Sequence, residues 1–313
     1  MSATPTIAAV DWGTTRLRVW LLDATGAVLD ERRSDEGLLT AQHKGFATVL
    51  DRQLQDMGAA TDLPAIVCGM AGARQGWVEA PYVDVPSSLG DILGAAVPVP
   101  GAGRDVRIVP GLAQRDPRAP DVMRGEETQL AGMAGLIGTG SHLVCMPGTH
   151  SKWVAAEGGA IKGFGTWPTG ELFSVLTQHS ILRHSIGDKP AKVSPHSEVF
   201  RDWCREALSD GDIGARLFGI RASGLLSGLG QDDAAAALSG LLIGAEIASA
   251  LRRFSRREAP VVLVVAGALG ALYAEAMRLD GIAVTIADAD EAVLAGLVAA
   301  ARRNGMLAEG VTE

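Results

Sequence analysis

Near its start the chain carries a run of residues suited to holding a phosphate chain. An apolar strand ends on a carboxylate, a Gly-Thr-Thr turn follows, and the returning strand carries two arginines on one face, because side chains alternate along a strand. Turn N–H groups and hydroxyls can donate to phosphate oxygens, and the carboxylate can hold Mg²⁺ or its water shell. An ordinary hairpin is the alternative interpretation. The residues concerned are Asp11, Gly13, Thr14, Thr15, Arg16 and Arg18.

The same plan recurs near the middle of the chain. Residues 143–154 predict an apolar strand, a Gly-Thr turn, polar residues and a second apolar strand, as the start of a duplicated half would. The basic residue of this segment, like Arg16 in the first, could instead be an exposed strand residue. The candidate phosphate contacts are Gly148, Thr149, His150 and Lys152.

A third segment, 261–273, predicts a buried strand that runs through a glycine-bearing turn into a helix. Such a turn lets the backbone approach a nucleotide, so Gly267 and Ala268 are candidate contacts. Gly244, in a helical stretch at 239–254, could admit an adenine, and a helix-packing role is equally open. The chain has neither G-x-G-x-x-G here nor G-x-x-x-x-G-K-[ST] anywhere, which disfavours the dinucleotide-binding and P-loop classes.

Together these segments resemble the two phosphate motifs and the adenosine motif of the actin-like ATPase superfamily. Four longer runs narrow the resemblance to the 2-dehydro-3-deoxygalactonokinase family, from the first strand to about residue 300; they are 68–82, 121–129, 147–153 and 169–173. The resemblance implies an α/β fold of two actin-like (ribonuclease H-like) lobes with mixed sheets and an active site in the cleft between lobes. It also implies ATP and Mg²⁺ as cofactors, and phosphorylation of the 6-hydroxyl of 2-dehydro-3-deoxy-D-galactonate in D-galactonate catabolism.

The general base is expected at Glu126 or Glu127, and Asp11 is expected to be the catalytic residue that binds magnesium. Phosphoryl transfer to a hydroxyl needs a carboxylate to take its proton. In related carbohydrate kinases a Gly-Asp-Gln run holds that base, and the run at 125–127 is similar in position but has Glu for Asp and lacks the Gln. Consecutive helical residues point about 100° apart, so one of the two faces the sugar, and Glu126 is favoured. Glutamates that only stabilise a helix start are the alternative.

The acceptor is expected to bind to Arg74, Gln75 and Trp77. Arg74 can clamp a carboxylate in bidentate fashion, and Trp77 can cover the apolar 3-deoxy carbon. A salt bridge from Arg74 to the other lobe is the alternative. A second loop supplies Thr169 and Glu171, although Glu171 could equally be an ordinary acid in the first turn of a helix.

Composition limits the class of protein. The chain has 313 residues and a formal net charge of −8 without a basic run, which argues against a nucleic-acid partner. Its start lacks the features of a signal peptide, and its uncharged stretches are shorter than the ~20 residues of a membrane span. Three distant cysteines exclude a fully paired disulfide framework. We expect a cytoplasmic enzyme with a small sugar-acid substrate and no membrane partner; the oligomeric state, homo-oligomer included, stays open.

Periodicity predicts two similar halves, residues 1–139 and 140–313. The first half is expected to hold strands at 6–12, 16–23, 26–33, 64–69 and 105–109, with helices at 45–57 and from Glu126. The second is expected to hold strands at 142–147, 151–156, 160–166, 261–265 and 282–286, with helices over most of 170–254, at 270–279 and at 289–303. Two further functions remain open: a kinase for another sugar or sugar acid, and a nucleotide-gated binding protein.

Overall fold

The computed structural model describes residues 4–187, 192–254 and 259–308. The chain is divided into two compact units. The first consists of Met1–Gly140, Glu157–Gly163 and Ala289–Glu313, and the second of Ser141–Ala156 and Phe164–Asp288.

The described residues form β-strands that are mostly short and alternate with helices. The strands are β1 (Ile7–Trp12), β2 (Leu17–Leu22), β3 (Val28–Ser34), β4 (Ala65–Gly69), β5 (Val83–Asp84), β6 (Ser87–Ser88), β7 (Val97–Pro98), β8 (Val106–Ile108), β9 (Leu112–Gln114), β10 (Asp121–Met123), β11 (Ser141–Met146), β12 (Ser151–Glu157), β13 (Ala160–Trp167), β14 (Val261–Val265) and β15 (Val284–Asp288). The helices are α1 (Leu38–Lys44), α2 (Phe46–Asp56), α3 (Leu89–Gly94), α4 (Glu126–Gly132), α5 (Ala134–Ile137), α6 (Thr169–His179), α7 (Arg183–Ile186), α8 (Glu198–Asp210), α9 (Ile213–Leu226), α10 (Gln231–Phe254), α11 (Leu269–Leu279) and α12 (Ala289–Arg303).

The first unit is built on a mixed sheet with the strand order β3-β2-β1-β4-β8-β7. Strand β1 is buried along nearly its whole length because it lies between β2, to which it is antiparallel, and β4, to which it is parallel. This register sets Asp11 opposite Arg18 on one side and opposite Cys68 on the other. A small sheet, β10-β9-β5, leads into α4. The larger sheet therefore delivers a carboxylate to the carboxyl end of its central strand.

Two glycines bring α12 against α4 within the first unit. A Cβ at Gly132 would lie 1.8 Å from the Ala292 carbonyl oxygen, and one at Gly296 would lie 1.9 Å from the Thr128 carbonyl oxygen. Only glycine permits this approach, so the two helices pack backbone to backbone. The packing explains why α12 belongs to the first unit, whereas the sequence-based division into 1–139 and 140–313 places it in the second.

The second unit contains a sheet with the order β15-β14-β11-β12-β13. The first residues of β13 belong to the first unit, where Ala160 and Ile161 pair with β6. The long helix α10 of the second unit is buried over most of its 24 residues. Among the described residues it is the one helix with the length and apolar composition of a membrane span, and most of that span is buried by the rest of the chain. Its apolar character is accounted for by packing against α8 and the core.

Most elements predicted from the sequence occur within a few residues of their expected bounds, apart from 188–191 in the helical stretch, which lie outside the described residues. Periodicity did not predict α1, α3, α5 or the two- and three-residue strands between residues 83 and 123, apart from β8. These elements are too short to display a period.

Candidate active site

The first Gly-Thr turn connects β1 to β2 and is backed by the start of α1. The N–H groups of Gly37, Leu38 and Leu39 donate to the carbonyls of Thr15, Gly13 and Thr14 at 3.2, 2.9 and 3.2 Å. Within the described part of the chain, nothing accepts a hydrogen bond from the N–H of Thr14 or Thr15. The turn's carbonyls are thus satisfied while two exposed amides remain available to an anion.

The carboxylate of Asp11 lies beside this turn, and charged side chains surround it. Among the described residues, the Cys68 thiol is its one hydrogen-bond donor, at 3.7 Å from Oδ1. Burial raises the pKa of the Asp11 carboxyl, the Arg18 guanidinium lowers it, and the nearby carboxylates of Asp290 and Glu126 raise it further, so that the net shift is upward. Asp11 therefore retains oxygen lone pairs for a cation.

A cavity of about 450 Å³ opens beside Asp11 and contains three arginines. Arg16 and Arg18 were expected there, whereas Arg33 of β3 was not. Arg18 forms an ion pair with Asp290 at 2.5 Å, and Arg33 pairs with the same carboxylate at 3.2 Å. Arg18 is thus already neutralised by Asp290, while Arg16 is exposed.

The two glutamates at the start of α4 occupy different environments. Glu127 is fully buried, and its two oxygens accept the Gly125 N–H at 2.6 Å and the Thr128 hydroxyl at 2.9 Å. Burial and repulsion from Glu126 raise the pKa of Glu127 to about 8. Glu126 is half-buried and accepts the Arg124 N–H at 3.1 Å. Both glutamates cap the helix start, and Glu126 alone is accessible.

Arg124, in the turn before α4, contacts the loop that follows β4. Arg124 Nη2 donates to the Ala80 carbonyl at 2.8 Å, and its guanidinium lies 4.5 Å from the Tyr82 ring centroid. A Cβ at Gly72 would lie 2.8 Å from Arg124 Nη1 and 2.9 Å from Ile108 Cγ2, so the lack of a side chain there leaves room for the guanidinium. The position of Glu126 is therefore tied to the loop in which acceptor-binding residues were predicted.

That loop presents Arg74 and Gln75 on its surface but holds Trp77 in the core. Arg74 is exposed and forms no ion pair with any described residue; the carbonyl of Gln75 accepts Gln42 Nε2 at 3.1 Å. The half-buried Trp77 ring lies 6.0 Å from Phe46 and 6.1 Å from Trp12. These contacts show that Trp77 packs against the first unit's core, while its predicted contact with the acceptor stays a prediction.

The second Gly-Thr turn, between β11 and β12, is backed by the start of α6. The Glu171 N–H donates to the Thr149 carbonyl at 3.0 Å, and a Cβ at Gly170 would lie 2.7 Å from the Gly148 carbonyl oxygen. The Glu171 carboxylate meets His150 Nε2 at 2.6 Å. Thr169 is buried, and its hydroxyl donates to Glu246. Glu171 thus contacts the second Gly-Thr turn and Thr169 contacts Glu246, and the predicted binding of the acceptor by these two residues stays a prediction.

Lys152 follows this turn on β12 and is only 5% exposed, so the alternative of an exposed strand residue is wrong. Its Nζ donates to the His150 carbonyl at 3.1 Å. The ammonium is therefore held against the turn and away from bulk water.

A cavity of about 580 Å³ lies in the second unit beside this turn. Its walls are largely apolar, from Phe173 of α6, Leu242 of α10 and Leu272 of α11, and Gly148 and Ala268 also line it. This size and apolar character are typical of a site for a small organic ligand. Gly267 and Ala268 form the turn between β14 and α11, as predicted, and Gly267 has the left-handed φ of 64° that favours glycine.

Gly244 does not line this cavity. A Cβ there would lie 2.6 Å from the Cys204 carbonyl oxygen, and one at Gly240 would lie 2.3 Å from the Phe200 carbonyl oxygen. Both glycines permit α10 to pack closely on α8. This packing accounts for Gly244 without a nucleotide.

Sequence reasoning missed several residues of these two sites. Alternation along β3 could have suggested Arg33, but Asp290 comes from a distant helix. No local pattern marks Ser239 or Lys192, which line the larger cavity. In the described part of the chain no group of three or more His, Cys, Asp or Glu side chains forms a metal cluster.

Two Gly-Thr turns at strand ends, mixed sheets and a glycine turn beside an apolar cavity define the class of protein: the fold is that of the actin-like ATPases and sugar kinases. The family model of 2-keto-3-deoxy-galactonokinase matches residues 11–300. The chain belongs to this family.

Individual relatives agree with that assignment. A Rhizobium meliloti (strain 1021) protein named "Probable 2-dehydro-3-deoxygalactonokinase DgoK1" is 51% identical over 296 residues, which cover 94% of this chain and 96% of the relative. The Escherichia coli (strain K12) 2-dehydro-3-deoxygalactonokinase is 37% identical over 92% of this chain and 95% of its own. A crystal structure from Sinorhizobium meliloti that bears the same kinase name has a TM-score of 0.91 at 51% identity, covering 95% and 98% of the two chains.

Proposed function

We propose that this chain is an ATP-dependent kinase that phosphorylates the 6-hydroxyl of 2-dehydro-3-deoxy-D-galactonate in D-galactonate catabolism. The observation that carries the proposal is the family match over residues 11–300, together with two curated relatives of that kinase name. We assign the reaction to the cytoplasm, where ATP is available.

The second unit is proposed to bind the donor. The apolar walls of its cavity suit a purine, and the turn at Gly148, which also lines the cavity, suits the phosphates. The buried ammonium of Lys152 would balance their charge, and that interaction is strong where solvent is excluded. His150, through Glu171, keeps the turn against α6.

The first unit is proposed to supply the general base and the cation ligand. The pKa of about 8 leaves Glu127 protonated at neutral pH, and both its oxygens are engaged, so Glu126 is the proposed base. The Asp11 carboxylate is an oxygen ligand of the kind Mg²⁺ prefers, and Mg²⁺ commonly binds through one or two carboxylates plus phosphate oxygens. A cation held there would neutralise charge on the transferred phosphoryl group.

The reaction balances with these groups alone. The 6-hydroxyl oxygen forms a bond to the γ-phosphorus of ATP, the bond from that phosphorus to the β,γ-bridging oxygen breaks, and ADP leaves with the bonding pair. Glu126 takes the hydroxyl proton. Arg74 is proposed to hold the acceptor's carboxylate, since it is exposed and forms no ion pair within the described residues.

An ATP-consumption assay across sugar acids tests the function. We expect strong stimulation by 2-dehydro-3-deoxy-D-galactonate and a 6-phosphorylated product detectable by mass spectrometry. Stronger turnover of the gluconate-derived epimer would reassign the acceptor. A rate of ATP hydrolysis that no sugar acid increases would favour a nucleotide-gated binding protein instead.

Arg74→Ala tests the proposed contact between Arg74 and the carboxylate of the acceptor. It should raise KM for the sugar acid on the order of 100-fold, the loss of one charge-assisted bidentate contact, while KM for ATP changes little. Arg118→Ala, which alters an exposed arginine of the same unit, is the matched control and should leave both KM values unchanged. An equal rise in both KM values for Arg74→Ala would contradict the role.

A further inference from the structure

Helix α10 carries a carboxylate, Glu246, in the interior of the second unit. The residue is only 2% exposed. Its Oε1 accepts the Trp153 indole N–H at 2.8 Å, and its Oε2 accepts the Tyr273 hydroxyl at 2.5 Å and the Thr169 hydroxyl. Burial raises its pKa, while the hydrogen bonds from Thr169, Tyr273, Trp153 and Ser151 counteract that shift. A buried carboxylate with this many donors is satisfied and defines the orientation of each donor.

The orientation of these hydroxyls extends to the phosphate turn. Ser151 Oγ lies 2.9 Å from the Tyr273 hydroxyl and 3.4 Å from the Gly148 N. Because a carboxylate only accepts, the hydroxyl protons of Tyr273 and Ser151 point toward Glu246. The lone pairs of Ser151 Oγ then face the Gly148 N–H, which donates to it. A directed chain therefore runs from the buried carboxylate to the first residue of the turn.

The same carboxylate connects the elements that surround the larger cavity. Tyr273 belongs to α11, Thr169 begins α6, and both line that cavity together with Gly148. The α6 start in turn touches the phosphate turn through the Glu171 N–H. Glu246 itself is too deeply buried to touch a ligand, so any effect on a ligand passes through these neighbours.

We propose that Glu246 is a positioning residue for the donor phosphates: through Tyr273, Ser151 and Thr169 it fixes the Gly148 turn in the orientation that receives the phosphate chain. This inference rests on the proposed function only in taking the cavity as the nucleotide site. It assigns Glu246 no contact with the base, the sugar acid or the transferred group.

Glu246→Gln tests the proposal because the amide is nearly isosteric but places two N–H donors where only acceptors stood. At least one hydroxyl must then reverse. We expect the Kd of ADP and the KM for ATP to rise about tenfold, the size of one hydrogen bond lost. The Kd of adenosine, which lacks phosphates, and the KM for the sugar acid should change less than about twofold. Calorimetry with ADP and with adenosine measures the split.

Two further variants interrupt the chain nearer the turn. Tyr273→Phe and Ser151→Ala each remove one hydroxyl and should weaken ADP binding more than adenosine binding. If Glu246→Gln does not fold, these two variants decide the question. Glu275→Gln is the matched control: this carboxylate of α11 pairs with Arg201 and Arg278 at 2.7 Å each, so its loss should lower stability without altering either Kd.

Equal weakening of ADP and adenosine in Glu246→Gln would overturn the proposal, because it would mean that the residue only supports the cavity wall. Unchanged ADP binding would overturn it as well, as would wild-type protein that binds no ADP. The binding assays need no acceptor. Wild-type protein that binds ADP but phosphorylates no sugar acid therefore defeats the proposed function and leaves this inference standing.

Discussion

The turns at Gly13–Arg16 and Gly148–Ser151 follow one plan but have different surroundings. In both, turn carbonyls accept N–H groups from the start of a following helix, and in both a glycine of that helix start, Gly37 or Gly170, lies against the turn. The plan in the sequence thus corresponds to a common backbone arrangement. The differences arise from what lies behind each turn.

Charged side chains surround the first turn, whereas a buried network of hydroxyls supports the second. Asp11, Arg18 and Asp290 interact beside the first turn. Behind the second turn, Ser151 contacts Tyr273, which donates to Glu246, and the ammonium of Lys152 is buried. The Gly-Thr plan thus predicts the turn itself, whereas residues of distant helices determine which groups surround it: charged side chains at the first turn and buried hydroxyls at the second.

The largest expected effect belongs to Glu126, the proposed base of the first unit. Glu126→Gln should lower kcat by about 10²–10⁴-fold, the usual contribution of general base catalysis, with little change in KM for ATP. Steady-state kinetics with the sugar acid measures it.

Glu127→Gln is the internal control, because it alters the neighbouring carboxylate in the same helix turn. It should retain kcat within about tenfold, since Glu127 is buried and protonated at neutral pH. If Glu127→Gln were the inactive variant and Glu126→Gln the active one, the assignment of chemistry to the first unit's accessible glutamate would be wrong.

The second-largest effect distinguishes the two turns by the exposure of the positively charged side chain beside each. Lys152→Met should raise KM for ATP or lower kcat on the order of 100-fold, because a charge that is 5% exposed is little screened. Arg16→Met should cost less than about tenfold, since solvent screens its exposed charge. Lys162→Met, at an exposed strand position, controls for the loss of any lysine. Equal losses of activity in Lys152→Met and Arg16→Met would contradict the proposed difference between the two turns.

A third pair of variants tests the feature that the turns share. A Cβ at Gly37 would lie 2.5 Å from the Thr15 carbonyl carbon, and one at Gly170 would lie 2.7 Å from the Gly148 carbonyl oxygen. Alanine at either position should therefore displace its turn and cost about 1–3 kcal/mol of stability, measured by urea unfolding. Gly135→Ala, where nothing lies within 4 Å, should be neutral or slightly stabilising. Normal stability in both variants would mean that the contact of helix and turn is not tight.

The sequence predicted the parts of this molecule that depend on local pattern. Alternation and apolar runs predicted the strands that carry both turns, and the glycines predicted the turns themselves. The sequence did not predict that Trp77 belongs to an aromatic core cluster or that Arg18 is paired to Asp290, because both contacts join residues far apart in the chain. Nor did it predict the hydrogen bonds that Glu246 accepts, because their donors lie on β12, α6 and α11.

The last expected effect concerns the pH dependence of the contribution that Glu127 makes to stability. Its pKa is about 8 in the folded chain against an ordinary value of 4.5, so between these values the folded state holds a proton that the unfolded state has lost. The contribution of this group is therefore largest at low pH and declines as pH rises toward about 8, by up to about 1.4 kcal/mol per pH unit. Glu127→Gln does not titrate, so its stability relative to wild type should rise over this range. Urea unfolding of both proteins measures the difference, in which the other titrating groups cancel. A constant difference would show that Glu127 is ionised in the folded state over this range, and Glu126 would then no longer be favoured as the base on electrostatic grounds.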